Sequence, residues 1–256
     1  MEADTASAEL SVLLLGGTGR TGGRVLQQLL ARGVRVRAVV RSAERLPAEA
    51  AGHPDLTVVV ADLPSLSDED LSAHIRGCAA VISCLGHTTS LRGIFRPPRD
   101  LVTRSVERVC RASRELRPAR PVKLILMSSV SVHRRGGLDA RRGRFERAVV
   151  WMLRGLVPPA RDNRRAADFL SGGLGTADPH VQWVAVRPDS LREGDVTEYA
   201  LHEGLVDSLF RPGATNMANV AHFMCELATD PEAWAAWQGK LPVIVNGRRR
   251  DREEPA

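Results

Sequence analysis

Gly16, Gly19 and Gly22 recur at the spacing G-x-x-G-x-x-G, with Thr18 ahead of Gly19 and Arg20 and Thr21 behind it. Glycines so spaced let a backbone come close to a bulky anion. Gly16 permits the tight turn, Gly19 the close approach, and Gly22 the packing of a helix on a strand. The chemistry this serves is capture of a pyrophosphate by free N–H groups at the positive end of a helix. The triplet alone is common, and its context sharpens it. Val12–Leu15 is a continuous apolar run, as in a parallel strand buried on both faces. Val25, Leu26, Leu29 and Leu30 then form one apolar helical stripe, and Gly33 stands where a helix would be capped. Strand, glycine turn and helix come in the order of a dinucleotide site.

The next strand, Val34–Val40, runs into Arg41 and Ser42. An acid at this position would hold the ribose 2′-hydroxyl of NAD, whereas an arginine accommodates the 2′-phosphate of NADP. Arg41-Ser42, with Arg20 and Arg45 nearby in the pattern, therefore predicts NADP(H); a solvated surface arginine is the other reading of Arg41. Leu56–Val60 ends in Ala61-Asp62-Leu63. Asp62 and Leu63 then lie at a strand's carboxyl end, where ligands of open α/β sheets sit, and Asp62 either accepts from an adenine amino group or opens a turn. Leu85 and Gly86 leave the fourth strand, Ala79–Cys84, with Gly86 allowing close passage of a nicotinamide ribose. Ser128 and Ser129 stand after the fifth strand, Val122–Met127. Ser128 is assigned to cofactor binding. His133 is the nearest group that titrates near neutral pH, and it is the candidate proton donor or an exposed loop histidine. His87, Asp162 and Asn163 are further candidates to line the same cleft.

Strands and amphipathic helices alternate along the chain. The helices include one opened by Ser67-Asp68-Glu69-Asp70, Arg99–Leu116, Asp162–Leu170 and Met217–Ala228. The last strands are Val181–Val186, running into Arg187-Pro188, and Val243–Val245. This predicts an α/β, Rossmann-like doubly wound parallel sheet in one domain over residues 10–246. Residues 191–216 are read as a small carboxy-terminal substrate cap, with a disordered amino-terminal stretch over 1–9 and a charged tail over 247–256. Arg134–Pro159 reads as a basic amphipathic helix, either covering the sheet or meeting a membrane surface or a partner, and ended by Pro158-Pro159.

Composition narrows the rest. The chain has 256 residues, 43% of them apolar but only 4% aromatic, so its core is built of Leu, Val and Ala. No stretch reaches the ~20 apolar residues of a membrane span, and the acidic start carries no signal-peptide pattern. A cytoplasmic location is expected. The four cysteines are scattered without a C-x-x-C pair, which predicts reduced thiols and no metal site. The net charge of +6 comes from arginines spread along the chain beside only two lysines, Lys123 and Lys240, so nucleic acid is not the expected partner; a small molecule is. Oligomeric state is not encoded in any of these features.

Gly16-Gly17-Thr18-Gly19-Arg20-Thr21-Gly22, Val40-Arg41, Ala61-Asp62-Leu63, Val81–Gly86, Leu126–Ser129 and Trp183–Pro188 together resemble the atypical short-chain dehydrogenases. These are the NAD(P)H-binding proteins related to flavin and biliverdin reductases and to NmrA-like redox sensors. The resemblance implies a seven-stranded Rossmann sheet, NADPH across the strand ends with Pro188 beside it, and a substrate under the cap. It also implies that Ser129 is a hydroxyl near the nicotinamide. One departure stands out. The Tyr-x-x-x-Lys pair of ordinary short-chain dehydrogenases is absent: the sole tyrosine, Tyr199, has Glu203 four residues on. Two functions follow. One is an NADPH-dependent reductase of a planar, quinone-like or carbonyl substrate that needs no strong general acid. The other is a non-catalytic NADP(H) sensor or accessory protein acting through a partner.

Overall fold

The computed structural model describes residues 10–86, 99–132, 158–206 and 213–247. Its core is an eight-stranded sheet in the order β3-β2-β1-β4-β5-β6-β10-β8. The parallel strands are β1 (Ser11–Leu15), β2 (Arg35–Val40), β3 (Leu56–Val60), β4 (Ala80–Ser83), β5 (Val122–Met127), β6 (Val181–Pro188) and β10 (Val243–Asn246). β8 (Tyr199–His202) pairs antiparallel with β10. The sheet therefore has one strand more than the seven implied by the resemblance, and that strand reverses direction. A separate two-stranded ribbon joins β7 (Ser190–Arg192) to β9 (Ala214–Asn216). Three short strands in two pairings thus order much of Leu191–Asn216, which the sequence shows only as loop-rich; residues 207–212 of that stretch lie outside the described residues.

Alternation along each strand divides the core. Leu13, Leu15, Val81, Leu124, Leu126 and Trp183 face one layer, packed under α2 (Asp68–Ile75), α3 (Leu101–Leu116) and α4 (Pro158–Asp168). Val12, Leu14, Ile82, Ile125 and Val184 face the other, under α1 (Arg20–Ala31) and α5 (Met217–Thr229). A sheet buried on both faces needs largely apolar strands, and the central β1 and β4 supply them in Val12–Leu15 and Ala80–Ile82. β3 departs from that rule at the sheet edge, where Val60 is 63% exposed.

The helix ends follow local chemistry. Gly33, at φ +68°, terminates α1 in the left-handed region. Ser67 caps α2 by accepting the Asp70 N–H at 3.0 Å, as its acidic first turn predicts. Pro158 and Pro159 open α4 rather than only ending what precedes it, since proline fits the first helical turn. After α4 the chain takes a π-helical turn, Phe169–Leu174. α6 (Pro231–Trp237), capped by Asp230, completes the described helices. His87, His133, residues 134–157 of the expected basic helix and both termini lie outside the described residues.

Candidate active site at the strand ends

Parallel register brings the carboxyl ends of β1, β2, β3, β4, β5 and β6 to one edge of the sheet. Most of the candidate residues sit in the turns that leave those ends. The glycine loop is the most constrained part. Gly16 has φ +85°, and a Cβ there would stand 2.8 Å from the Cys84 carbonyl oxygen. A Cβ on Gly22 would meet the Gly16 carbonyl at 2.1 Å. Gly19 is the N-cap residue of α1 and offers no side-chain oxygen, and the first turn of α1 contains no acid. The helix thus begins with N–H groups and a positive dipole end that nothing within its own first turn neutralises. An anion such as a diphosphate fits that arrangement.

Arg41 is exposed directly after β2. The Ser42 hydroxyl donates to the Glu44 carboxylate and holds that carboxyl below the usual carboxylate range. Asp62 opens a turn, its carbonyl accepting from Ser65 and Leu66. Leu63 is buried in the core, so its main chain is what it offers to a ligand. Leu85 is half-buried and Gly86 exposed, with open space where a Gly86 side chain would project. The Ser128 hydroxyl is buried without a hydrogen-bond partner, and so is that of Ser83 on the neighbouring strand. The Ser129 and Ser131 hydroxyls share a 2.6 Å hydrogen bond. Pro188 is buried at the end of β6, where its carbonyl accepts the Val130 N–H at 3.2 Å.

Asp162 is the clear correction. It does not line the cleft. Its buried carboxylate accepts the Val102 N–H at 2.8 Å and the Thr103 N–H at 3.0 Å, capping α3 from a different helix. Sequence spacing could not show this, because the partners are some sixty residues apart.

Three arginine arrangements also escape sequence reasoning. Arg187 is fully buried, and its guanidinium donates to the carbonyls of Leu241, Val132 and Glu203 at 2.8, 3.0 and 3.0 Å. It thereby joins the serine-bearing turn after β5 to β10 and to the segment after β8. Arg108 of α3 donates to the carbonyls of Leu63 and Leu66 and to the Asp68 carboxylate, fixing the turn that starts at Asp62. Arg20 and Arg24 both reach the carboxylate of Glu193. A 710 Å³ groove bordered by Glu107, Arg111, Arg114, Glu115, Arg117 and Phe169 shares no residue with the strand-end site.

A family model described as NAD(P)H-binding matches residues 16–231, from the glycine loop to the start of α6. The chain belongs to this NAD(P)H-binding family. Solved structures with the same fold include the anaerobillin reductase ChuY of Escherichia coli O157:H7, 19% identical with a TM-score of 0.64 over 96% of this chain and 100% of that one. A short-chain dehydrogenase/reductase of Veillonella parvula in complex with NADP is 13% identical, with a TM-score of 0.63 over 96% and 99%. An oxidoreductase from Lactococcus lactis is 18% identical, with a TM-score of 0.64 over 93% and 91%. At these identities the likeness is one of fold. A chloroplastic Arabidopsis thaliana protein described as uncharacterized is 34% identical over 102 residues, 40% of this chain and 34% of that protein's length. These NAD(P)H-binding folds agree with the atypical short-chain dehydrogenase resemblance. Among the described residues no helix is long and apolar enough to cross a membrane, and no cluster of metal-ligating side chains occurs.

Proposed function

We propose that the protein is an NADPH-dependent oxidoreductase that reduces a small planar, quinone-like or carbonyl substrate at the strand ends. The observation that carries this reading is the glycine loop, sterically closed to side chains at Gly16 and Gly22 and lying one strand away from an exposed Arg41. In this reading the N–H groups that open α1 bind the diphosphate, and Arg41 takes the 2′-phosphate. Asp62 and Leu63 border the adenine. Leu85, Gly86, Thr18 and Pro188 shape the path of the cofactor, and the Ser128 and Ser129 hydroxyls orient the reacting groups. The bound cofactor supplies hydride. A substrate whose product anion is delocalised takes its proton from water or from His133. The cap within 191–216 excludes water from this cleft. Four free, buried cysteines fit a reducing compartment, and the cytoplasm is the one proposed.

A specific observation keeps a second reading in play. Tyr199 is engaged by His222, with its hydroxyl 3.0 Å from Nδ1. Lys123 lies over the Trp234 ring, with its Nζ 3.3 Å from the Ala228 carbonyl, and Lys240 pairs with Glu203. The usual tyrosine–lysine relay has no counterpart in these contacts, as a sensor or accessory protein would allow. One experiment separates the readings. Thermal-shift titration with NADPH and NADH is followed by cofactor oxidation with a quinone, a flavin and an aldehyde. Stabilisation by NADPH plus turnover with any acceptor supports the enzyme. Stabilisation without turnover supports the sensor, and no stabilisation by either cofactor removes both.

A further inference from the structure

Glu193 lies far from the glycine loop in sequence, yet its carboxylate is shared between Arg20, the first residue of α1, and Arg24 one turn later. Arg20 Nε stands 3.6 Å from Oε1, and Arg24 donates to Oε2. Arg24 also donates to the Arg20 carbonyl at 2.7 Å, so its head group is turned back toward the start of the helix. A carboxylate thus occupies the two guanidinium groups beside the N–H groups that suit an anion.

The backbone carrying Glu193 is held on both sides. Upstream, β7 pairs with β9. Downstream, Gly194 has φ +151°, and a Cβ there would lie 2.7 Å from the Asn216 amide nitrogen. Asn216 donates to the Asp195 carbonyl at 3.0 Å, and the buried Asn219 accepts the Thr197 N–H at 2.8 Å. Asn246 ties the two asparagines together, accepting from Asn219 Nδ2 at 2.9 Å and donating to Asn216 Oδ1 at 2.9 Å. Asparagine side chains from α5, its N-cap and β10 therefore fix where this carboxylate is delivered. With the main chain clamped, the carboxylate leaves the arginines by side-chain rotation.

We infer that Glu193 is an internal competitor for the diphosphate of the cofactor: it occupies Arg20 and Arg24 in the free protein and lowers affinity for any dinucleotide. The inference rests on the proposed placement of the diphosphate at the glycine loop. Its charge acts on the part common to NADPH and NADH, so it lowers affinity for both, while the 2′-phosphate is met first by Arg41.

The test is dissociation constants for NADPH and NADH, measured by calorimetry on the full chain as wild type, Glu193→Gln and Glu193→Ala. Each melting temperature without cofactor serves as the folding control. Both substitutions are expected to tighten both cofactors by about 1.5- to 5-fold, as for loss of a competing exposed ion pair. The gain should shrink in high salt, because exposed pairs are screened. Equal or weaker binding in both variants would overturn the inference and leave the cofactor site standing. Failure of the wild type and both variants to bind either cofactor, with melting temperatures intact, would overturn the placement of the cofactor along with it.

Discussion

The Gly16 carbonyl and the α-carbon of Gly22 are so close that an added methyl group would overlap the oxygen, at 2.1 Å. Backbone, not a flexible side chain, is what it would meet, so relief requires the turn to move away from the helix. Gly22→Ala should cost about 1–3 kcal/mol through overpacking and abolish stabilisation by cofactor. Gly86 is a contrast, since nothing lies within 4 Å of the Cβ it lacks. Gly86→Ala should leave the melting temperature of the free protein unchanged while weakening cofactor binding. Calorimetric melting of both variants, with and without NADPH, checks the pair. Equal melting of Gly22→Ala and wild type would contradict the steric argument.

Arg41 is the residue on which the cofactor preference rests. A charge-assisted hydrogen bond contributes roughly 1.5–3 kcal/mol, so Arg41→Ala should lose about ten- to a hundredfold in NADPH affinity and little in NADH affinity. Glu44 works in the opposite direction, because it holds the Ser42 hydroxyl and adds negative charge nearby. Glu44→Gln should favour NADPH. Dissociation constants for the two cofactors decide this, and an NADPH to NADH ratio that ignores Arg41 would remove the assignment.

Legibility in the sequence tracked the range of the interaction. β3 and β5 match their predicted bounds to the residue, and α2 starts at the Ser67 cap, because β-branched and apolar runs and helix capping are written in adjacent side chains. The eighth strand was not legible. β8 is four half-buried residues whose partner, β10, lies forty residues on, and nothing local marks the pairing. The glycine loop was legible because its constraint, backbone against backbone, leaves only glycine as an answer. Arg187, Arg108 and Glu193 were hidden for the converse reason: one arginine or glutamate among many has no local signature, and each acts through distant carbonyls or charges.

The capping of α3 by Asp162 carries a prediction that its earlier placement in the cleft would not make. Asp100, the residue at the N-cap position, makes no side-chain cap bond. Asp162 instead takes two backbone N–H groups, and the Thr103 hydroxyl at 2.6 Å. Asp162→Ala leaves those donors buried and should cost about 2–4 kcal/mol, a fall of roughly 5–10 °C in Tm for a chain of this size. Asp162→Asn, which keeps an acceptor, should lose less. Thermal melting checks both. A variant that melts like wild type yet loses turnover would return Asp162 to the cleft.

Tyr199 and His222 give the pH dependence a definite sign. Burial pushes the Tyr199 phenol up to about 12, with the Glu226 carboxylate adding to the effect, and burial pushes His222 below its usual value against the opposing pull of Glu226. Arg32, the C-cap residue of α1, faces the same cluster, pairing with Glu226 at 2.8 Å. Below the ordinary histidine pKa, about 6.5, the unfolded chain takes up the proton that folded His222 resists, so stability falls as pH drops from 7 to 5. Above the ordinary tyrosine pKa, about 10, the unfolded chain releases the proton that folded Tyr199 retains, so stability falls again as pH rises. A general acid working near neutral pH needs the opposite shift, which sets Tyr199 apart from the tyrosine of the ordinary relay. Because it is the chain's only tyrosine, phenolate absorbance reports this residue alone. The expected result is a midpoint near 12 in the folded protein, with His222→Gln flattening the acidic limb of Tm against pH by at most a few degrees. A phenolate midpoint at the ordinary tyrosine value would show that Tyr199 is solvated and its bond to His222 open.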